Sequence, residues 1–232
     1  MLEKARNLNL PKMTKTGDAA RPEMDLDADS FMDMLRLRSR EITIGAIVLV
    51  AVFAIVFVVR EKRRDNEDKA DVALNKASSS FFSGNAPLAQ TDLKALVDRY
   101  PDTPAGVQGA MMLAESMYDA RKFDEGTKVL QKAATSGAVG PFAASIEALM
   151  GAAAADQKKT DEAVKHYLAA SAKARFPTDQ DLYKAEAARV YALGGKKDDA
   201  IKLWTELAAK PNTPTLAEAK IRLGELQGAP AK

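Results

Sequence analysis

The sequence predicts an all-α protein in which one membrane-spanning helix precedes a solenoid of about four helix pairs and a capping helix. Three observations support this class. Residues 42–59 form a run of 18 residues without a charge. Small residues recur every 37 positions through the rest of the chain. The 232 residues include only 13 Gly, 10 Pro and 6% aromatic residues, but many Ala, which favours packing between helices over a sheet.

Composition removes several classes of function. The net charge of +2 lacks the basic surplus of a nucleic-acid-binding protein. The absence of Cys excludes disulfides, thiolate metal sites and cysteine nucleophiles, and a single His excludes a multi-histidine metal site. No Ser or Asp is placed to make His166 catalytic, so we expect it to be a solvated side chain on a helix. The sequence therefore predicts a protein that is not an enzyme and that has no cofactor or metal.

The apolar run, residues 42–59, is predicted to be a permanent transmembrane helix. At ~1.5 Å per residue its length is ~27 Å, close to the ~30 Å hydrocarbon core of a bilayer. Apolar residues cover every face of it, which argues against a core helix with a polar stripe. A cleaved signal peptide is disfavoured because the run starts after 41 residues and is followed by charged residues, from Arg60 to Arg64.

Residues 1–41 are a polar tail with eight basic and eight acidic residues. This composition is typical of a solvated, disordered segment, and the alternative is an arm that docks a partner. Four basic residues lie in the 20 or so positions before the apolar run and six in the same window after it. That difference alone favours a cytoplasmic C-terminal side. The positive-inside rule weakens for long translocated domains, so the charges leave the orientation open.

The third predicted segment, residues 60–232, contains four repeats. The strings FDEG, TDEA and KDDA, which begin at Phe123, Thr160 and Lys197, are 37 residues apart. Two positions twelve residues apart hold only Ala or Gly in every copy, as the closely packed helices of a hairpin require. The first set is Ala77, Ala114, Gly151 and Ala188, and the second is Ala89, Gly126, Ala163 and Ala200. A last helix, Leu216–Gln227, is predicted to cap the solenoid.

This pattern resembles the tetratricopeptide repeat (TPR) family over about residues 70–226. That family places small residues at the eighth and twentieth positions of each unit, which are the two sets above. A large apolar residue follows at the twenty-fourth position, here Leu93, Leu130, Tyr167 and Trp204. The period departs from the family's usual ~34 residues. The aromatic residue common early in the first helix is also replaced, by Ala73, Ala110, Glu147 and Lys184.

The resemblance implies a concave surface, lined by the first helix of each pair, that takes extended peptides or partner helices. The repeat register places Phe81, Met111, Glu115, Tyr118 and Arg189 there, with burial between units an equal alternative for Phe81 and Tyr118. Relatives that clamp a C-terminal carboxylate use Lys, Asn and Arg at matched positions. Here those positions hold Leu74, Asn75 and Ser78, then Met111, Met112 and Glu115. An acidic C-terminal tail is therefore not the expected ligand.

A tail, one span and four degenerate repeats together resemble a bacterial membrane-anchored TPR-like family, the YfgM-like proteins, which include the ancillary subunit of the SecYEG translocon. The resemblance implies an inner-membrane protein with a cytoplasmic N-terminus and a periplasmic repeat domain. It would be a non-enzymatic scaffold that associates with the translocon and periplasmic chaperones. Its partners would be proteins and, through residues 42–59, the lipid bilayer, but not nucleic acid. The alternative is a structural accessory subunit of another large inner-membrane complex, energy-transducing or secretory.

Overall fold

The computed structural model describes residues 39–228. Within this range the regular structure comprises nine α-helices and one 3₁₀ turn, Gly140–Phe142, and contains no strand. The predicted all-α class is therefore confirmed, while most of the predicted tail, residues 1–41, lies outside the described residues. The helices are α1 (Ser39–Phe82), α2 (Ala86–Arg99), α3 (Pro104–Asp119), α4 (Phe123–Ala133), α5 (Ala143–Asp156), α6 (Thr160–Lys173), α7 (Pro177–Leu193), α8 (Lys197–Ala208) and α9 (Leu216–Gln227).

The chain divides into two units, one that ends at Phe57 and one that begins at Val58. In the first unit the described residues belong to α1, and the apolar side chains from Ile44 to Phe57 are exposed. Leu49 and Phe53, for example, are 69% and 71% exposed. By length and composition alone, α1 is a helix that can cross a membrane.

In the second unit the helices pack as four pairs followed by a single helix. The C-terminal part of α1 pairs with α2, where Ala77 and Leu93 share one buried cluster and Lys76 Nζ lies 3.1 Å from Asp92 Oδ1. The other pairs are α3 with α4, α5 with α6, and α7 with α8. Helix α9 packs on α8, and Ala219 shares a buried cluster with Trp204. This is the predicted order of four pairs and a cap.

The turn within each pair has the same geometry. A residue with positive φ occupies each turn at 37-residue intervals, namely Gly84, Arg121, Lys158 and Gly195. The following residue donates its N–H to a carbonyl five residues back, as Lys122 does to Met117 at 2.8 Å and Lys159 to Ala154 at 2.9 Å. These bonds satisfy carbonyls that the end of a helix leaves free. The second helices then begin at 86, 123, 160 and 197, so the sequence period is also a structural period.

The two sets of small residues lie where paired helices approach each other, and we call them the seam. All eight are buried, and the six that are Ala are 0% exposed. A Cβ added to Gly126 would lie 3.1 Å from the Ala114 carbonyl oxygen, and one added to Gly151 would lie 3.3 Å from that of Ala163. Larger side chains would force these backbones apart, so the seam sets the distance between the helices of each pair.

Large apolar side chains fill the space between successive pairs. Leu93, Val107, Leu130 and Ile146 come from four helices and form one buried cluster. At the other end Trp204 is fully buried between α7, α8 and α9, and Tyr191 packs against the same cluster. Both side chains are thus packing residues.

Candidate partner-binding groove

An open groove of about 340 Å³ lies along the first helices of the second, third and fourth pairs. We call it the inner groove. Helices α3, α5 and α7 supply most of its lining, and α6 adds one side chain. The lining residues are Met111, Glu115, Ser145, Ala148, Leu149, Tyr167, Tyr183 and Glu186. Apolar and aromatic side chains form most of this surface, and carboxylate and hydroxyl groups provide its polar atoms.

Two of the five residues predicted from the repeat register, Met111 and Glu115, line the inner groove. Phe81 lies instead on the first pair, partly buried against the core cluster that contains Leu93. Its ring meets that of Phe82 edge to face, with 5.6 Å between the centroids. Phe82 itself is 81% exposed.

Tyr118 packs within its own helix pair. Its ring stacks on Phe123 at 5.9 Å between centroids and covers the position where Gly126 lacks a side chain. Its hydroxyl and that of Thr127 are 3.2 Å apart and form a hydrogen bond. Burial raises the pKa of Tyr118, and the hydrogen bond to Thr127 offsets part of this rise. The contacts of Tyr118 therefore stabilise the packing of α3 against α4.

Arg189 connects α7 to the capping helix. Its Nε and Nη2 donate to the two carboxylate oxygens of Glu218 at 2.8 and 2.5 Å, and Nη1 donates to Glu186. The hydrogen bond from Arg189 lowers the pKa of Glu218, and the same bond raises the pKa of the guanidinium. Arg189 therefore does not line the inner groove as the repeat register predicted, and it contacts that lining at Glu186.

Negative charge in the inner groove is not neutralised at Glu115. No hydrogen bond or ion pair joins this carboxylate to another described side chain. Partial burial, and then the charge of Asp119 one turn further along, raise the pKa of Glu115. Burial, followed by the charges of Glu186 and Asp156, raises the pKa of Tyr167 to about 12. Both shifts come first from burial, which disfavours a charged group, and then from nearby carboxylates, which disfavour additional negative charge.

Repeat spacing could have found three further groove residues, because Ala148 lies 37 positions after Met111, and Leu149 and Glu186 occupy the position of Met112 in the next two units. It could not find Tyr183, which occupies another position of its unit. Tyr167 belongs to the large apolar positions of the repeat, and it is buried as expected, but its ring also reaches the inner groove. These additions come from the way neighbouring pairs stack.

His166 differs from its expected solvated state. Its side chain is 21% exposed, and Nδ1 lies 2.8 Å from Glu147 Oε2. Lys173 Nζ donates to the other oxygen of Glu147 at 2.5 Å. Burial alone would raise the pKa of Glu147, but the hydrogen bonds from Lys173 and His166 outweigh it and lower the pKa. The three side chains join α5 to α6. Among residues 39–228, no cluster of three His, Asp or Glu side chains is arranged to hold a metal ion.

Stacked helix pairs with a small-residue seam and an open face define a helical repeat protein of the kind that serves as a protein-interaction scaffold. The sequence matches the family model of the tetratricopeptide repeat-like domain over residues 38–226, and the chain belongs to that family.

Solved structures support the same fold. The chain is similar to the crystal structure of nearly identical TPR-like repeats from Podosopora anserina, with 16% identity and a TM-score of 0.54 over 70% of this chain and 87% of that one. A variant of those repeats with a single substitution gives 15% identity and a TM-score of 0.53 over 70% and 86%. No curated protein matches the sequence. At these identities the likeness establishes the fold alone.

Proposed function

We propose that this protein is a non-enzymatic scaffold that is tethered to a bacterial inner membrane by α1 and that binds other proteins through its TPR-like domain. In the finer form of the proposal the domain is periplasmic, and the protein serves the translocon as an accessory subunit or recruits periplasmic chaperones to it. The support for the finer form is the sequence resemblance to the YfgM-like family.

One observation supports the attachment of the protein to a membrane through α1. Twelve large apolar side chains between Ile44 and Val59 are each at least 45% exposed. Soluble monomers rarely expose a contiguous apolar patch larger than a few hundred Å². A bilayer would solvate this surface, and a helix satisfies its own backbone hydrogen bonds in hydrocarbon.

The tether is tested by placing charges in two stretches of the same helix. Arg at both Val52 and Ile55 should release the protein from membranes, because each Arg costs about 2.5–3.5 kcal/mol near the bilayer centre. Arg at both Val72 and Asn75, also exposed on α1, is the matched control and should leave retention unchanged. The measurement is the fraction of protein in the pellet after alkaline carbonate extraction. Equal retention of the two variants would contradict the tether.

Orientation is measurable with single cysteines because the sequence contains none. In intact spheroplasts a membrane-impermeant maleimide should label Ser83→Cys and should label Ser30→Cys only after lysis. The reverse pattern would place the TPR-like domain in the cytoplasm and would exclude periplasmic chaperones as partners.

The partner is tested by photo-crosslinking in membranes. A photoreactive residue at Ser145, in the inner groove, should crosslink to translocon subunits or their chaperones. The alternative, a structural subunit of another inner-membrane complex, predicts crosslinks from the span and the preceding tail and none from Ser145. If no position crosslinks to any protein, the scaffold proposal fails.

A further inference from the structure

Charge is divided unequally between the two layers of the TPR-like domain. Helices α3 and α5, which supply most of the inner groove, contain four carboxylates and no Lys or Arg. The second helices of the same pairs, α4 and α6, contain four Lys and four carboxylates, so these charges balance. On α5, Lys173 and His166 bind Glu147, and the carboxylates of α3 and α5 without a bound cation among the described residues are Glu115, Asp119 and Asp156.

The basic residues of α7 do not change this balance, because carboxylates bind them both. Lys184 Nζ donates to Glu206 Oε2 at 3.1 Å, and Arg189 is bound by Glu218 and Glu186. Within the described part of the chain, the groove face thus has no uncommitted cation to neutralise Glu115.

Apolar side chains supply the rest of the inner groove. Met111, Leu149 and Tyr183 line it beside Glu115. An occupant that buries apolar side chains here and brings a positive charge to Glu115 and Asp119 would complement both the apolar lining and the carboxylates. Removal of water strengthens the attraction between opposite charges at such a site.

We propose that the inner groove binds cationic amphipathic polypeptide segments, in which Lys or Arg alternate with apolar residues. This inference rests on the proposed scaffold function and names the chemistry of its partner. Charge complementarity selects this occupant, since an acidic segment would face Glu115 and Asp119 without a free cation to receive it.

The test uses the full chain in nanodiscs of phosphatidylcholine, whose headgroup has no net charge, and empty nanodiscs are the blank. Three fluorescent peptides of about 12 residues contain Leu and a second residue in equal numbers, with Ser and Gly between them. The second residue is Lys, Gln or Glu. Fluorescence anisotropy should give at least about tenfold tighter binding for the Lys peptide than for the Gln peptide and no binding for the Glu peptide. Added salt should weaken the Lys complex.

Matched variants test which carboxylates of the protein attract the Lys peptide. Glu115→Gln with Asp119→Asn should weaken binding of the Lys peptide about fivefold, since two partly exposed ion pairs are lost. Asp124→Asn with Glu125→Gln makes the same charge change at exposed positions on α4 and should change binding less than about twofold. Glu115→Lys with Asp119→Lys should reverse the preference so that the Glu peptide binds. Helical circular dichroism of each variant checks that the fold persists.

Equal binding of the Lys and Gln peptides, or equal losses in the α3 and α4 variants, would overturn the inference. Crosslinking from Ser145 to a cellular protein, combined with that result, would leave the scaffold function standing with a partner of different chemistry. Failure of the peptides and of every crosslink would overturn both proposals.

Discussion

The seam and the inner groove lie on different faces of the same first helices, and carboxylates on the two faces differ in whether a cation neutralises them. On α5, Glu147 faces the seam side, is bound by Lys173 and His166, and has a lowered pKa. On α3, Glu115 faces the inner groove, has no bound cation among residues 39–228, and has a raised pKa. The comparison shows that a carboxylate at the interface of a helix pair is neutralised by its neighbours, whereas a carboxylate in the inner groove is not neutralised by any described side chain.

The largest expected loss of stability comes from a substitution in the buried core. Trp204 is fully buried, and we expect Trp204→Ala to lower the free energy of unfolding by about 3–5 kcal/mol. The indole Nε1 is buried without a hydrogen-bond partner among the described residues, so Trp204→Phe should cost much less. Urea denaturation of the full chain in detergent, followed by far-UV circular dichroism, measures both. Equal losses for Phe and Ala would contradict the view that the volume of a buried ring, and not the indole group itself, stabilises this core.

Substitutions in the seam are expected to have the next largest effect on stability. A Cβ at Gly126 would lie 2.6 Å from the Tyr118 ring, so Gly126→Ala should destabilise by about 1–3 kcal/mol. Gly151→Ala should cost less, because its nearest contact is 3.2 Å and Ala favours the helix. Gly224→Ala on α9, where nothing lies within 4 Å, is the control and should stabilise by about 0.5–1 kcal/mol. The same denaturation series ranks the three, and a different order would break the proposed role of the seam.

Glu147 gives a smaller effect that depends on pH. Its pKa is lowered from 4.5, so its contribution is complete above pH 4.5 and is lost as the pH falls through the lower, folded-state pKa. We expect Glu147→Gln to destabilise by about 1–2 kcal/mol at about pH 7, since two hydrogen bonds to a charged group are weakened. The difference from wild type should shrink at about pH 3. A constant difference across this range would exclude ionisation of Glu147 as its cause.

The smallest effect is expected in the inner groove and has the opposite sign. The pKa of Glu115 is raised from 4.5, so the folded state favours the protonated carboxyl and loses stability as the pH rises from 4.5 through that pKa. Glu115→Gln should therefore stabilise by up to about 0.5 kcal/mol at about pH 7 and have no effect in more acidic solution, where the carboxyl is protonated in both states. A loss of stability in Glu115→Gln at neutral pH would mean that Glu115 has a structural partner. It would contradict the contrast drawn between Glu115 and Glu147.

Much of the architecture followed from the sequence. The recurrence of Ala and Gly every 37 residues predicted the helix pairs, because only small side chains allow such close backbones. The groove was predicted less completely. Met111 and Glu115 line it as the register indicated, but Arg189 is bound by Glu218, which lies 29 residues further along the chain. Local spacing carries no information about a partner that a distant helix supplies.

The sequence by itself determined the period, the small-residue seam and the apolar run, because each depends on side-chain size or hydropathy within one short segment. Only the tertiary structure decided which charges are neutralised. That depends on which side chains of separate helices come within about 3 Å of each other once the pairs stack, as His166 and Lys173 do at Glu147. Glu115 meets no such cation among the described residues, and for that physical reason the inner groove retains its negative charge.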